Sequence, residues 1–190
     1  MGGVYNIMGE TLILLAKASI AIALGLGSDF DLHKARRDYP ILNQNGAVFV
    51  TLRDSDERLR GCIGSLIAHR PLYKDIIINA KLSALSDSRF APLTPKEFES
   101  IKVEVSLLST PKEIKYSSID ELKSKIIPQK DGVVLKLDDK KATYLPSVWE
   151  ELPKFDEFFI SLCEKAGLES NCLTQHPSIE IYQATKYKEK

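Results

Sequence analysis

The chain has 190 residues, 44% hydrophobic and 27% charged, with 26 Lys plus Arg against 26 Asp plus Glu. This is enough for a single domain over residues 1–190 with a buried core. The balanced charge excludes nucleic-acid binding that relies on a strong basic field. Three cysteines (Cys62, Cys163, Cys172) and three histidines (His33, His69, His176) stand at no metal-ligand or Cys-x-x-Cys spacing. The residues therefore call for no metal and no cofactor, and reduced thiols in a cytoplasmic protein are expected.

In chain order, the apolar run from Thr11 to Gly27 reads as a core helix rather than a membrane span. It is interrupted by Lys17, has no basic leader, and ends in Gly25 and Gly27. A short helix is expected over Leu32 to Asp38, then a strand over Ala47 to Leu52. The charged turn Asp54 to Arg58 joins that strand to a second, Leu59 to Leu66, as a hairpin. Pro71 opens a helix over Leu72 to Leu85. Thr94 and Glu97 have capping-box spacing, as do Ser118 and Glu121 ahead of a helix to Lys125. Alternation over Ile101 to Leu107 predicts a strand with one solvated face. Asp131-Gly132 is read as a turn into a strand over Val133 to Leu137, followed by Ala142 to Leu145. Trp149 belongs to a packed corner, Phe155 to Ala166 to a helix closed by Gly167, and Ile179 to Ala184 to the last strand. The lysines at 186, 188 and 190 are read as a solvated end. Mixed helices and strands without a βαβ rhythm imply an α+β fold, mostly antiparallel.

The chemistry concentrates in Leu59-Arg60-Gly61-Cys62-Ile63-Gly64. Strict alternation puts Arg60, Cys62 and Gly64 on one strand face. Two glycines bracketing a thiol suggest space left for a ligand, although the context of a nucleotide-binding loop is missing. A nearby cation, Arg60 or Arg89, would favour the thiolate, and His69 is the candidate base. Asp87 and Arg89 could hold a polar or anionic group, or could anchor their own loop. Cys163 lies on the apolar face of its helix.

These residues together resemble the AMME chromosomal region gene 1 family, an AMMECR-type domain, over about residues 48 to 182. The matches are Val48 to Leu52, the Leu-Arg-Gly-Cys-Ile-Gly signature at 59–64, Arg70-Pro71-Leu72, and Asp87 to Leu93. They continue with Val103 to Ser106, Asp131-Gly132, Leu145 to Glu150 and Lys165 to Leu168. The chain departs at Glu57-Arg58, where the family often has glycine, and near Cys172, where many members carry tryptophan. The resemblance implies two lobes with a cleft lined partly by the signature, but no established reaction. It also implies association with Memo-like and radical-SAM proteins. Two functions follow as expectations. One is recognition of a partner or polar ligand through Arg60, Gly61, Gly64, Asp87 and Arg89. The other is an enzyme using Cys62, with His69, on a small polar substrate.

Overall fold

The computed structural model describes residues 2–189, with side chains from residue 7 onward, and Lys190 lies outside the described residues. The chain divides into two compact units, unit 1 of Met1–Leu108 with Thr185–Lys190 and unit 2 of Ser109–Ala184. Both mix helices with antiparallel strands, an α+β fold.

Unit 1 begins with helix α1 (Gly2–Ala23), which buries Leu12, Leu15, Ala16, Ser19 and Ile20. Gly25 and Gly27 follow at φ 78° and 72°, a left-handed exit that glycine makes without a Cβ penalty. No described helix is long and apolar enough to cross a membrane. Helix α2 (Leu32–Asp38) is capped by Asp31, whose carboxylate accepts the Lys34 N–H. Strands β1 (Ala47–Arg53), β2 (Leu59–Gly64) and β3 (Lys102–Leu108) form an antiparallel sheet with β1 in the centre. Helices α3 (Leu72–Leu85) and α4 (Pro95–Phe98) complete the unit, and α4 carries the expected Thr94–Glu97 capping box.

Helix α3 presents buried polar residues at i, i+4 spacing: Asp75, Asn79 and Ser83. They do not bury charge without purpose, because each meets backbone or hydroxyl groups of the sheet. Asp75 accepts the Val48 N–H and the Ser65 hydroxyl, Asn79 donates to Val48 O, and Ser83 accepts the Ile63 N–H while donating to Val50 O. Arg70 lies 2.8 Å from Asp75 and compensates its buried charge. Strand β3 departs from expectation: Glu104 and Ser106 are buried along with Val103 and Val105, so neither face of its middle is open to solvent.

In unit 2, β4 (Lys112–Ile114), β5 (Asp131–Leu137) and β6 (Lys140–Tyr144) join β7 (Ser178–Lys188), and β7 pairs with both β4 and β5. The three-residue β4 was not expected. Asp131 and Gly132 are strand residues rather than a turn, since both pair with β7. Strand β7 runs past Ala184 into the basic end, so Lys186 and Lys188 belong to a strand. Helices α5 (Ile119–Lys125) and α6 (Phe155–Lys165) cover a core in which Trp149 stacks on Phe158 at 3.6 Å. The Trp149 indole donates to Asp131 O, satisfying its buried N–H.

The expectation of three reduced thiols is corrected in this unit. Cys163 and Cys172, both fully buried, form a disulfide across nine positions of chain, leaving Cys62 as the free cysteine among the described residues. Composition alone could not reveal it, because a single pair at an uncharacteristic spacing carries no framework signal. Closing so short a loop is worth about 2–3 kcal/mol. Reduction is therefore expected to lower the denaturant midpoint of unit 2, read from the fluorescence of Trp149, the only tryptophan. An unchanged midpoint would show that the bond adds nothing.

Candidate functional site

The β2 signature does not keep strict alternation. Leu52 pairs with Gly61 and Arg53 with Leu59, so Arg60 is the extra residue of a β-bulge. A bulge re-aims its side chain, and Arg60 reaches away to the 91–97 segment. Its Nε donates to Glu97 Oε1 at 3.0 Å and its Nη2 to Ala91 O at 2.9 Å. Glu97 is thus shared: Oε2 closes the α4 capping box while Oε1 holds Arg60. The Arg60 hydrogen bond is the main reason that the Glu97 carboxyl ionises as low as about 2.

Asp87, two residues past α3, is buried and points at the backbone of Cys62. Its carboxylate accepts the Cys62 N–H at 2.8 Å, and the Arg89 N–H, Nε and Nη2 at 3.2, 2.9 and 2.7 Å. Arg89 Nη2 also donates to the Cys62 carbonyl oxygen at 3.3 Å. Both polar groups of the Cys62 backbone are therefore gripped by one carboxylate–guanidinium pair. The Arg89 bonds hold the Asp87 carboxyl far below the ordinary carboxylate range, and the same bonds raise the guanidinium. The guanidiniums of Arg60 and Arg89 lie 5.7 and 5.5 Å from the Phe90 ring centre, on which both can rest by cation–π attraction.

Cys62 is half-buried as a residue, and its sulfur accepts a hydrogen bond from the Thr51 hydroxyl at 3.3 Å. The sequence thus named four residues that do assemble: Arg60, Cys62, Asp87 and Arg89. Of the two cations expected near Cys62, the bulge sends Arg60 to Glu97 and Ala91, while Arg89 reaches the Cys62 carbonyl oxygen. His69 is not part of the group. Its Nδ1 lies 2.8 Å from the Ile67 carbonyl oxygen on an exposed loop.

The space beside the glycines is not empty. A Cβ on Gly61 would stand 2.2 Å from Ser83 O on α3, and one on Gly64 would stand 2.2 Å from the Phe49 ring. The two glycines answer to packing by the chain itself, one admitting a helix backbone and the other a neighbouring phenyl ring. Thr51, Glu97 and Glu104 went unassigned to the site. The useful signal was register: Thr51 pairs with Cys62 on one side and Glu104 on the other.

Among the described residues no group of three or more His, Cys, Asp or Glu is arranged to hold a metal ion.

The AMMECR1 family model matches residues 13–187. The chain belongs to the AMMECR1 family. It is 34% identical to a Sulfolobus acidocaldarius protein over 188 residues, covering 96% of this chain and 82% of that protein. A Sulfurisphaera tokodaii protein is 36% identical at the same coverages. The crystal structure of an uncharacterized protein from Pyrococcus horikoshii is similar with a TM-score of 0.80 and 30% identity, over 97% of this chain and 93% of that one. Both departures from the AMMECR1 pattern have a physical content here. Glu57, in the pair of residues where the resemblance led us to expect glycine, sits at φ 62°, and its carboxylate accepts the Lys102 ammonium at 2.8 Å. Cys172 is the disulfide partner of Cys163.

The clamp predicts an acid response. Glu97 and Asp87 both ionise below their ordinary values when folded, so their contribution is complete above the unfolded carboxyl range and fades as pH falls through the folded values. Melting temperature should hold between about pH 7 and 5 and decline from about pH 4 downward. Glu97→Gln should make that decline shallower, and a wild-type slope in the variant would contradict this assignment.

Proposed function

We propose that this AMMECR1-family protein is a recognition module of the cytoplasm. Its Cys62 face takes a segment of a partner or a small polar ligand, with Arg60, Asp87 and Arg89 setting the shape of that face. The observation that carries this reading is the double grip on the Cys62 backbone by Asp87 and Arg89. It fixes the backbone of a half-buried Cys62, whose sulfur is held by the Thr51 hydroxyl, a preorganised contact of the kind recognition rewards. Gly61 and Gly64 keep the packing role described above. The disulfide is compatible with the cytoplasm, since intracellular proteins of hyperthermophilic archaea carry such bonds. The partners we propose are Memo-like and radical-SAM proteins, on the strength of the family resemblance.

Calorimetric titration with purified Memo-like and radical-SAM proteins tests this reading. Binding of at least one is expected, weakened tenfold or more by Cys62→Ser combined with Arg89→Ala. Absence of binding, or binding indifferent to both substitutions, overturns it. A second reading, an enzyme with Cys62 as nucleophile or acid/base on a small polar substrate, draws on the Thr51 hydroxyl 3.3 Å from the sulfur. That reading requires a thiol that alkylates in the native protein. It also requires a base, and His69 would have to leave the Ile67 carbonyl to serve.

A further inference from the structure

Helix α1 has a second apolar row besides the one it buries in the core. Ile7, Leu14, Ala18 and Ala21 stand at i, i+7, i+11 and i+14, on one side of the helix. With Phe30 and Phe98 they line an open groove of about 810 Å³, walled by the loop into α2 and by α2 itself. Every lining residue belongs to unit 1, and Arg60, Cys62, Asp87 and Arg89 are not among them. Leu14 is 55% exposed in that groove, so its hydrocarbon is open to an occupant. A volume of this size, an apolar floor and a few polar groups are what small-ligand clefts offer.

The rim is acidic. Asp29, Asp31, Asp38 and Glu189 line it against Lys17 and Lys34. Glu189 and Lys17 neutralise each other at 2.6 Å, which leaves three carboxylates facing one ammonium. Asp31 also caps α2, whereas the exposed Asp29 carboxylate has no hydrogen bond or ion pair among the described residues. The Leu26 N–H returns to Ala21 O, so Asp29, three residues on, stays within about 11 Å of Leu26 at the end of α1. That helix has no basic residue in its last turn, and the carbonyl end of a helix favours a cation.

We propose that the groove binds an organic cation with an apolar body. Its hydrocarbon lies along Leu14 and Ala18, and its ammonium sits between Asp29 and Asp31 at the end of α1. A carboxylate headgroup would meet the excess negative charge, and a neutral hydrocarbon would leave Asp29 unanswered. A bare metal cation would gain nothing from the apolar floor. The site stands apart from Cys62 and does not rest on the recognition reading.

Octylammonium and octanoate, alike in chain and opposite in charge, test the proposal in NMR titrations of the isotope-labelled full chain at low ionic strength. Octylammonium is expected to bind at least tenfold more tightly and to shift the amide signals of α1 and residues 28–39. Hexylammonium should bind about fourfold more weakly for each methylene lost. Leu14→Gln and Asp29→Asn change exposed side chains, so both variants keep the fold. Leu14→Gln should weaken octylammonium about fivefold. Asp29→Asn should cut its advantage over octanoate about threefold. Equal affinities of the two probes, no binding, or shifts confined to other residues overturn the proposal. Self-association of the chain that Leu14→Gln abolishes overturns it too, because a second copy would then cover the groove.

Discussion

Asp87→Ala is expected to lower the unfolding free energy by about 3 kcal/mol, a fall of roughly 10 °C in melting temperature. The substitution removes the acceptor of the Cys62 N–H and three donors of Arg89 at once. Arg89 is 53% exposed and recovers water, so its share of the loss is small. The larger share falls on the orphaned Cys62 N–H and on the vacated space around a side chain only 4% exposed. Arg89→Ala separates the two effects. It leaves a buried carboxylate short of its cation, and raising the pH should not restore stability. Differential scanning calorimetry of both variants decides this, and an Asp87→Ala loss under about 1 kcal/mol would show that the clamp is incidental.

Gly61→Ala is expected to destabilise by about 2–3 kcal/mol, the upper range for overpacking. Its new Cβ would lie 2.2 Å from Ser83 O, a backbone atom within a helix already tied to the sheet by Asp75, Asn79 and Ser83. Neither partner moves freely, so either α3 lifts from β2 or β2 loses its register. Gly64→Ala meets a phenyl ring at the same distance, but Phe49 is half-buried and can rotate. Its cost should be about 1 kcal/mol and should be relieved by Phe49→Leu in the double variant. Chemical denaturation of the three proteins measures the order. A Gly61→Ala protein as stable as wild type would mean that the glycine is not there to admit the helix.

Most of the fold was legible because it rests on local rules. Helices α2 and α3 coincide with the expected spans Leu32–Asp38 and Leu72–Leu85, and the Thr94–Glu97 capping box is present. What escaped depends on long-range pairing. Strand β4 has only three residues, and its existence depends on β7 lying beside it. The Cys163–Cys172 bond requires knowing that α6 and the 172–175 turn meet. At the site, residue types identified Arg60, Cys62, Asp87 and Arg89 correctly as neighbours. Only the expected sharing of one strand face by Arg60 and Cys62 fails, because a one-residue bulge breaks the two-residue period at Arg60. Glu104 looked like the solvated side of an alternating strand, and only three-strand register shows it buried beside Thr51. The polar stripe at 75, 79 and 83 escaped the sequence reading because it lies in a helix with the apolar run Ile76-Ile77-Ile78.

Titration of the folded, oxidised protein with a thiol-reactive disulfide reagent, followed by peptide mapping, decides whether Cys62 is an accessible thiol beside a closed Cys163–Cys172 bond. One equivalent per chain is expected, located at Cys62, with Cys163 and Cys172 recovered as a linked pair. No reaction before denaturant would mean that the sulfur is sealed. Three equivalents would mean that the disulfide is absent, and either result would contradict the structure of the site set out here.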